Sequence, residues 1–456
     1  MLTCHLFAVE YHADPRHYFA RVHATEGAVL LDSGKPNSQR GRYDILSAWP
    51  LAAISPQLDE PVASFSQRCR ALLQQLPESQ PPTDIELPFT GGLIGYLAYE
   101  MSTLEQRVEI EGLPSATVGL YDWALITDHQ IACCWLMCHP TMSAERISAL
   151  QACFSTSANN PGIAGAPFCL QAPFSPSISA ETYQQALQRI KAYITAGDCY
   201  QVNYTQRFRS QYQGDPWLAY NSLRDSCPTP FASFIRVNTQ QAILSLSPER
   251  FIQVRKRQVE SRPIKGTRAR SSNPAQDQAL SDELLASGKD RAENLMIVDL
   301  LRNDLGRYCA TGSIRVPELF ALESYPNVHH MVSSVTGTLA AQYDALDVLF
   351  GSFPGGSITG APKRRAMQII QELEASVRSI YCGSIFYLDT RGEMDSSITI
   401  RTLLANHGDI SCWGGGGIVF DSNADDEYQE SIQKVQVLMR TLESKHLVEP
   451  TAKTEH

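Results

Sequence analysis

Residues 383–442 read GSIFYLDTRGEMDSSITIRTLLANHGDISCWGGGGIVFDSNADDEYQESIQKVQVLMRTL, and the change of period inside this stretch decides the fold. Its first half is a meander of apolar runs at 383–388, 397–404 and 410–413. Its second half changes to helical spacing. From about Asp425 onward, Ile432, Val435, Leu438, Met439 and Leu442 fall on one stripe. The same alternation recurs upstream. Ser179 is a suitable N-cap for a helix carrying Tyr183, Ala186, Leu187, Ile190, Tyr193 and Ile194, and Gly197 ends it. Strands are predicted at 232–237, 242–246 and 250–255, and helices at 290–303 and 364–373. Strand pairs alternating with helices predict an α+β fold. The N-terminal part is strand-rich: 28–32 ends in the turn pair Ser33-Gly34, 91–99 is apolar and glycine-punctuated, and 118–137 reads as two strands. A shorter break falls at 77–88, and no short internal repeat is visible. Residues 154–178 (FSTSANNPGIAGAPFCLQAPFSPSI) are rich in Pro, Gly, Ser and Ala and read as a linker. It divides the chain into an N-terminal region, 1–153, and a main region, 179–445, with a tail at 446–456.

Composition narrows the class. A chain of 456 residues allows about three domain-sized units, enough for a sizeable core. With 43% hydrophobic and 19% charged residues it is neither disordered nor a coiled coil. Thirty-eight Lys+Arg against 48 Asp+Glu leave a net charge of -10, which argues against nucleic acid as a partner. A small anion held by a few local cations remains compatible. No apolar run nears the roughly 18 residues that span a bilayer, and residues 131–138 are the longest candidate. The N-terminus lacks the pattern of a secretory signal. Twelve cysteines include no C-x-x-C pair, and Cys133, Cys134 and Cys138 fit no zinc spacing. Free thiols in a reducing cytoplasm are expected.

Several residue patterns can carry chemistry. Asp290 and Glu293 lie three apart on one predicted helix, and Glu427 and Glu430 on another, with Lys434 four further on. Each pair shares a helix face, so converging helices would make an oxygen-rich site suited to Mg²⁺. The same spacing equally suits a solvated acidic face. The loop GGSITGAPK, 355–363, superficially resembles a phosphate-binding loop, but Ala361 stands where its Lys belongs. Its amides can still hold an oxyanion. The four glycines 414–417 permit close backbone approach to a ligand, or a tight turn. Lys265, between Pro263 and Thr267 in PIKGT, can serve as an amine nucleophile once desolvated, or sit in an exposed cationic loop. Glu249, after an apolar strand, can act as a general acid or base. His330 is a structural or a catalytic imidazole. Arg401 alternates with apolar residues on a predicted strand and is suited to a carboxylate or an internal salt bridge.

Seven motifs in order (SPERF, PIKGT, AENLMIVDLLRNDLG, FPGGSITGAPK, SSITIRTL, GGGGIV and DEYQES) resemble those of the chorismate-utilising enzymes. The resemblance covers residues 179–442 strongly and the first 150 more weakly. It implies four layers, α/β/β/α, with two packed sheets and outer helices, as in anthranilate synthase component I. It also implies Mg²⁺ on Glu293 and Glu430, supported by Asp290 and Glu427. The metal would hold one substrate carboxylate. Arg401, Tyr387 and amides near Gly415 and Gly416, with Lys363 close by, would grip the second.

The resemblance also points to a branch of the family. Gln201 stands where the water-activating lysine of isochorismate and salicylate synthases would be, and an amide is no general base. Lys265 matches the enzymes that form 4-amino-4-deoxychorismate, where anthranilate synthases usually carry Ala. No G-x-C-x-G nucleophile turn is present, so ammonia is expected from solution or from a separate glutaminase subunit. The implied chemistry has Lys265 attack ring carbon 2 of chorismate while Glu249 protonates the departing 4-hydroxyl. Ammonia then attacks carbon 4 and expels Lys265. Thr267 and His330 complete the catalytic set, and His330 matches a histidine linked to elimination in anthranilate synthases. The alternative is therefore an anthranilate synthase large subunit. More distant readings are a binding subunit without turnover and a nucleotide hydrolase built on 355–363. By the same resemblance Ser33, Arg40, Gly41, Arg42, Tyr43, Pro230, Phe231 and Ala232 match a tryptophan pocket. Arg40 replaces an aromatic residue there, and Asp32 replaces the Glu usual in anthranilate synthases.

Overall fold

The computed structural model describes residues 2–38, 41–102, 112–155, 166–325 and 328–448. Two large mixed-origin sheets dominate, one of 13 strands and one of 10. In the larger, the long strand Gln201–Gln213 pairs with Asp409–Ile418, followed by Thr402–Asn406, Gln241–Ser247 and Phe231–Asn238. The N-terminal strands Val29–Asp32, Tyr43–Ser47, Trp123–Asp128, Cys133–Cys138 and His5–Val9 extend it. The smaller runs from Ile264–Ala269 through Val328–Thr338, Gln258–Ser261, Arg250–Arg255 and Met394–Ile398 to Ser384–Asp389. It too is continued by N-terminal strands, Gly92–Leu97, Ala116–Tyr121 and Ala52–Ile54. The junction between the first 153 residues and the rest therefore runs through both sheets. The linker stretch takes part as well: Cys169–Leu170 and Ser175–Pro176 pair with the long strand. Of the predicted tail, the described part reaches residue 448, and Leu447 bridges to Leu170.

Side-chain alternation explains the layering. Val29, Ile45, Ile235 and Ile243 enter one core with Val118, Ile252 and Ile385 of the smaller sheet. Their sequence neighbours Leu30, Leu46, Phe234 and Leu244 point the other way, into a second core with Trp217, Leu223 and Leu438. Those three belong to the helices Pro216–Ser226 and Ala424–His446. Helices Gly288–Gly306 and Val62–Leu73 pack on the smaller sheet. The α+β architecture expected from the sequence is the one observed. Among the described residues no helix is long and apolar enough to cross a membrane. All twelve cysteines are free.

Local readings hold in most places. Ser179 caps the helix Ala180–Thr195 by accepting from the Thr182 amide. Arg250–Arg255 forms a strand with the predicted bounds. The stretch 118–137 holds three strands, because Asp122 interrupts what read as the first. The largest departure is at 397–404. One strand was expected; two form, Met394–Ile398 in the smaller sheet and Thr402–Asn406 in the larger. The chain crosses between sheets at 399–401, and Arg401 takes φ +49° at the crossing. A second crossing lies beside it, between Gln241–Ser247 and Arg250–Arg255, and carries Glu249. The Ile398 amide donates to the Glu249 carbonyl (3.1 Å) and the Leu246 amide to the Arg401 carbonyl (3.0 Å). Two sheet-to-sheet crossovers are thus bonded side by side.

Candidate active site

Lys265 stands on Ile264–Ala269, which pairs with Val328–Thr338 through a one-residue irregularity: Ile264 faces Val332, whereas Thr267 faces His330. Gly266, at φ +84°, makes that bulge possible. A β-carbon there would lie 2.8 Å from Leu284 Cδ1 and 3.0 Å from Asp290 Cγ. Lys265 Nζ donates to the Ser357 carbonyl (3.2 Å), and the Ser357 hydroxyl donates to Glu249 Oε1 (3.0 Å). Asn203 Nδ2 donates to the same carbonyl (3.1 Å). Glu249 is 4% exposed. Burial pushes its carboxyl up to about 7, against the opposing pull of Lys265 and the Ser357 hydroxyl. Burial also lowers the Lys265 ammonium, opposed by Glu293, Glu249 and Glu430. Both groups move toward their neutral forms, an amine that can attack and an acid that can give a proton.

The Thr267 hydroxyl lies 2.8 Å from His330 Nδ1. Burial, then the nearby Arg401 guanidinium, push His330 down to about 4, so at neutral pH it is an uncharged imidazole. The half-buried Arg401 guanidinium has no hydrogen-bond or ion-pair partner among the described residues. An unpaired guanidinium in this position is suited to a ligand carboxylate. It reaches that position from the turn between sheets; no strand interior holds it.

One acidic pair, Glu427 and Glu430, packs on the glycine strand, and Glu293 of the other pair lies within the field of Glu430. Residues 414–417 form neither a turn nor a loop; they lie inside Asp409–Ile418. A β-carbon on Gly416 would sit 2.8 Å from Glu427 Oε2 and 3.4 Å from Glu430 Oε1. Glu427 accepts from the Ser422 hydroxyl (2.7 Å), and its carboxyl is raised by burial and by Glu430. Burial acts to raise Glu430, but Lys434 at 2.6 Å, together with Lys289 and Lys265, outweighs it and holds the carboxylate low. Lys434 also donates to the Gly415 carbonyl (2.9 Å). Glu293 is raised by burial and by the fields of Asp290 and Glu430, with Lys265 opposing. Asp290 pairs with Arg268 (3.2 Å). Among the described residues these groups do not close into a metal cluster. Their chemistry nevertheless fits one: oxygen donors only, mutual repulsion, and a glycine cradle that leaves room beside Glu427 and Glu430. Glu293 and Glu430 would hold the cation.

Three expected residues sit differently. Lys363 is bound to Asp304 (2.5 Å) and the Ser352 carbonyl (2.9 Å), so its ammonium is committed to holding the loop and does not stand open to a substrate. Tyr387 accepts from Arg255 and lines a separate cavity between the sheets. Gln201 is wholly buried beside Gly417, and neither amide atom has a partner among the described residues. Ser357 and Asn203 were not singled out in sequence, and Lys434 was noted only for its spacing from Glu430. Ser357 lies inside a loop read for its glycines, and Asn203 is two positions from Gln201 on the same strand face.

The separate cavity, about 1070 Å³, is lined by Gly41, Arg42, Tyr43, Pro230, Phe231 and Ala232. Six of the eight residues matched to a tryptophan pocket thus come together. Ser33 is engaged beneath it, its amide and hydroxyl both donating to Asp44 Oδ1 (2.7 Å each). Arg40 lies outside the described residues.

A half-buried lysine, a raised carboxylic acid, an arginine unpaired among the described residues and a group of carboxylates, all near the junction of two sheets, are suited to a small anionic substrate. The profile of the chorismate binding enzyme family matches residues 26–440. The chain is 43% identical over 441 residues to aminodeoxychorismate synthase component 1 of Escherichia coli strain K12, covering 93% of this chain and 95% of that one. It is 35% identical to an anthranilate synthase component I-like protein of Synechocystis, covering 93% and 89%. The crystal structure of anthranilate synthase component I from Streptococcus pneumoniae superposes with a TM-score of 0.75 at 30% identity, over 88% and 92% of the two chains. The chain belongs to the chorismate binding enzyme family and is a chorismate-using enzyme.

Proposed function

We propose that this enzyme aminates chorismate at ring carbon 4 through a covalent adduct on Lys265, giving 4-amino-4-deoxychorismate for the para-aminobenzoate branch of folate synthesis. One observation carries the reading: Lys265 and Glu249 are held on one residue, Ser357, and burial drives both toward neutrality. The neutral amine attacks carbon 2, the ring double bonds shift, and the C4–O bond breaks as Glu249 gives its proton to the leaving hydroxide, releasing water. Ammonia then forms the C4–N bond, the double bonds shift back, and the Lys265 amine leaves carbon 2. Arg401 grips one substrate carboxylate. Glu293 and Glu430 would hold Mg²⁺, which would supply positive charge to the other. Gln201 offers no base for water. Ammonia comes from a separate glutaminase subunit, in keeping with the component naming of the relatives, and the pair works in the cytoplasm.

A second reading, anthranilate formation, is favoured by one observation, the neutral His330 bonded to Thr267. Mass spectrometry separates the two. Mixing with chorismate and Mg²⁺ without ammonia should place a chorismate-derived mass on the Lys265 peptide, and added ammonium should release aminodeoxychorismate. Lys265→Ala should lose the adduct. Anthranilate plus pyruvate without any adduct would move the enzyme to the second reading.

The cavity between the sheets also supports tryptophan binding. Calorimetric titration of the tryptophan-free protein should give heat, and its absence together with an unmoved thermal midpoint would rule the ligand out.

A further inference from the structure

We infer that Ser357 is a positioning residue that sets the separation and aim of the nucleophile and the acid at once. The inference rests on the proposed roles of Lys265 and Glu249. Its main-chain carbonyl accepts from Lys265 Nζ, and its side-chain hydroxyl donates to Glu249 Oε1. These two groups must act at different ring carbons in one concerted step, the amine at carbon 2 and the acid at the oxygen on carbon 4. A single residue gripping one with its backbone and the other with its side chain fixes their geometry more tightly than two independent supports would.

The support is itself stiff. Ser357 is 8% exposed and lies in the short turn Gly356–Ile358. Its carbonyl is held from a second side by Asn203, on the long strand of the larger sheet. The next residues are tied down too: the Thr359 hydroxyl donates to the Gly355 carbonyl (3.0 Å), and buried Arg378 donates to the Ile358 carbonyl (2.8 Å). Gly356 leaves no room for a side chain, since a β-carbon would come within 2.4 Å of Leu300 Cδ2. That anchors the turn to the Gly288–Gly306 helix, which carries Glu293. Ser357 therefore couples three structural parts: the crossover with Glu249, the bulge with Lys265 and the strand with Asn203.

The test is a double-mutant cycle read on the rate of the Lys265 adduct. Ser357→Ala should slow adduct formation by about ten- to a hundredfold while the KM for chorismate moves less than about threefold. Ser357→Thr, which keeps the donor, should recover most of the rate. On a Glu249→Ala background the same Ser357→Ala change should cost less than about twofold, because the hydroxyl then has no acid to aim. If Ser357→Ala does not fold, Ser357→Cys, of similar shape and a weak donor, takes its place in the cycle. An equal loss on both backgrounds, or a loss wholly in KM, would overturn the inference and leave Ser357 a structural residue. A wild-type enzyme that forms no adduct would instead overturn the proposed function, a separate and recognisable outcome.

Discussion

Glu249 shows how burial shifts a common side chain toward the protonated form that the proposed reaction needs. Its carboxyl is held up to about 7, against an ordinary value near ~4.3. Between those values the folded protein binds more protons than the unfolded chain, so this group's contribution to stability falls as pH rises through the window and stays lower above it. Glu249→Gln removes the titration. It should raise the unfolding free energy by about 3–4 kcal/mol at pH 8 and leave it nearly unchanged at pH 4. It should also slow the first displacement by about 10²- to 10⁴-fold. Urea unfolding at the two pH values checks the first point, and an unaltered difference between them would show that Glu249 carries no such penalty. SPERF, PIKGT and AENLMIVDLLRNDLG singled out Glu249, Lys265 and Glu293, and the structure brings the first two together on Ser357. What the sequence left open was their company. The family resemblance put Lys363 beside the substrate, yet Asp304, 59 residues upstream on another helix, takes its ammonium. The resemblance also gave Tyr387 a grip on the substrate, but its side chain lies on the face toward Arg255 and the other cavity. Strand alternation tells that two neighbours point apart; it does not tell which face holds the substrate.

At the scale of elements, the site is made where secondary structure breaks its own rules. The sequence period correctly announced strands around 397–404 and 250–255, but a period cannot reveal that a chain changes sheets midway. Only the left-handed Arg401 marks the event, and a non-glycine residue in that conformation leaves no signal in a hydrophobic pattern. The four glycines invite the opposite error. Four in a row read as a turn, whereas here they keep a strand bare so that the Ala424–His446 helix can bring Glu427 and Glu430 down onto it. Gly414 is the extreme case, where a β-carbon would lie 2.0 Å from the Ser431 carbonyl. Gly416 is the informative one to change, because its obstacle is a carboxylate. Gly416→Ala should displace Glu427 and Glu430 and raise the Mg²⁺ concentration needed for half-maximal activity by at least about tenfold. Its effect on the thermal midpoint should be modest. Magnesium titration of chorismate consumption measures this, and an unchanged requirement would place the metal elsewhere.

For the molecule as a whole, the decisive fact is that neither sheet belongs to one part of the chain. The composition break at 154–178 suggested two regions joined by a linker, with the chemistry confined to the second. The proposed catalytic residues are confined in that way, but the scaffold is not. Without the first 155 residues, Ala232–Ile235 would lose their partners Val29–Asp32, and Ser384–Asp389 would lose Gly92–Leu97. Two strand edges would open in the middle of two sheets, beside apolar faces such as Ile235, Ile243, Ile385 and Leu388 that are buried in the intact chain. Open edges flanked by exposed apolar residues favour aggregation over folding. A chain beginning at residue 166 should therefore be insoluble or lack a cooperative unfolding transition. Supplying residues 1–155 as a separate chain should restore soluble, active enzyme, since the pairing needs proximity rather than covalent continuity. The full-length protein should unfold in a single transition by both fluorescence and circular dichroism, because each of the two cores draws side chains from both regions. A soluble 166–456 fragment that unfolds cooperatively and consumes chorismate with ammonium would refute this, and would make the N-terminal strands an accessory to an independent catalytic domain.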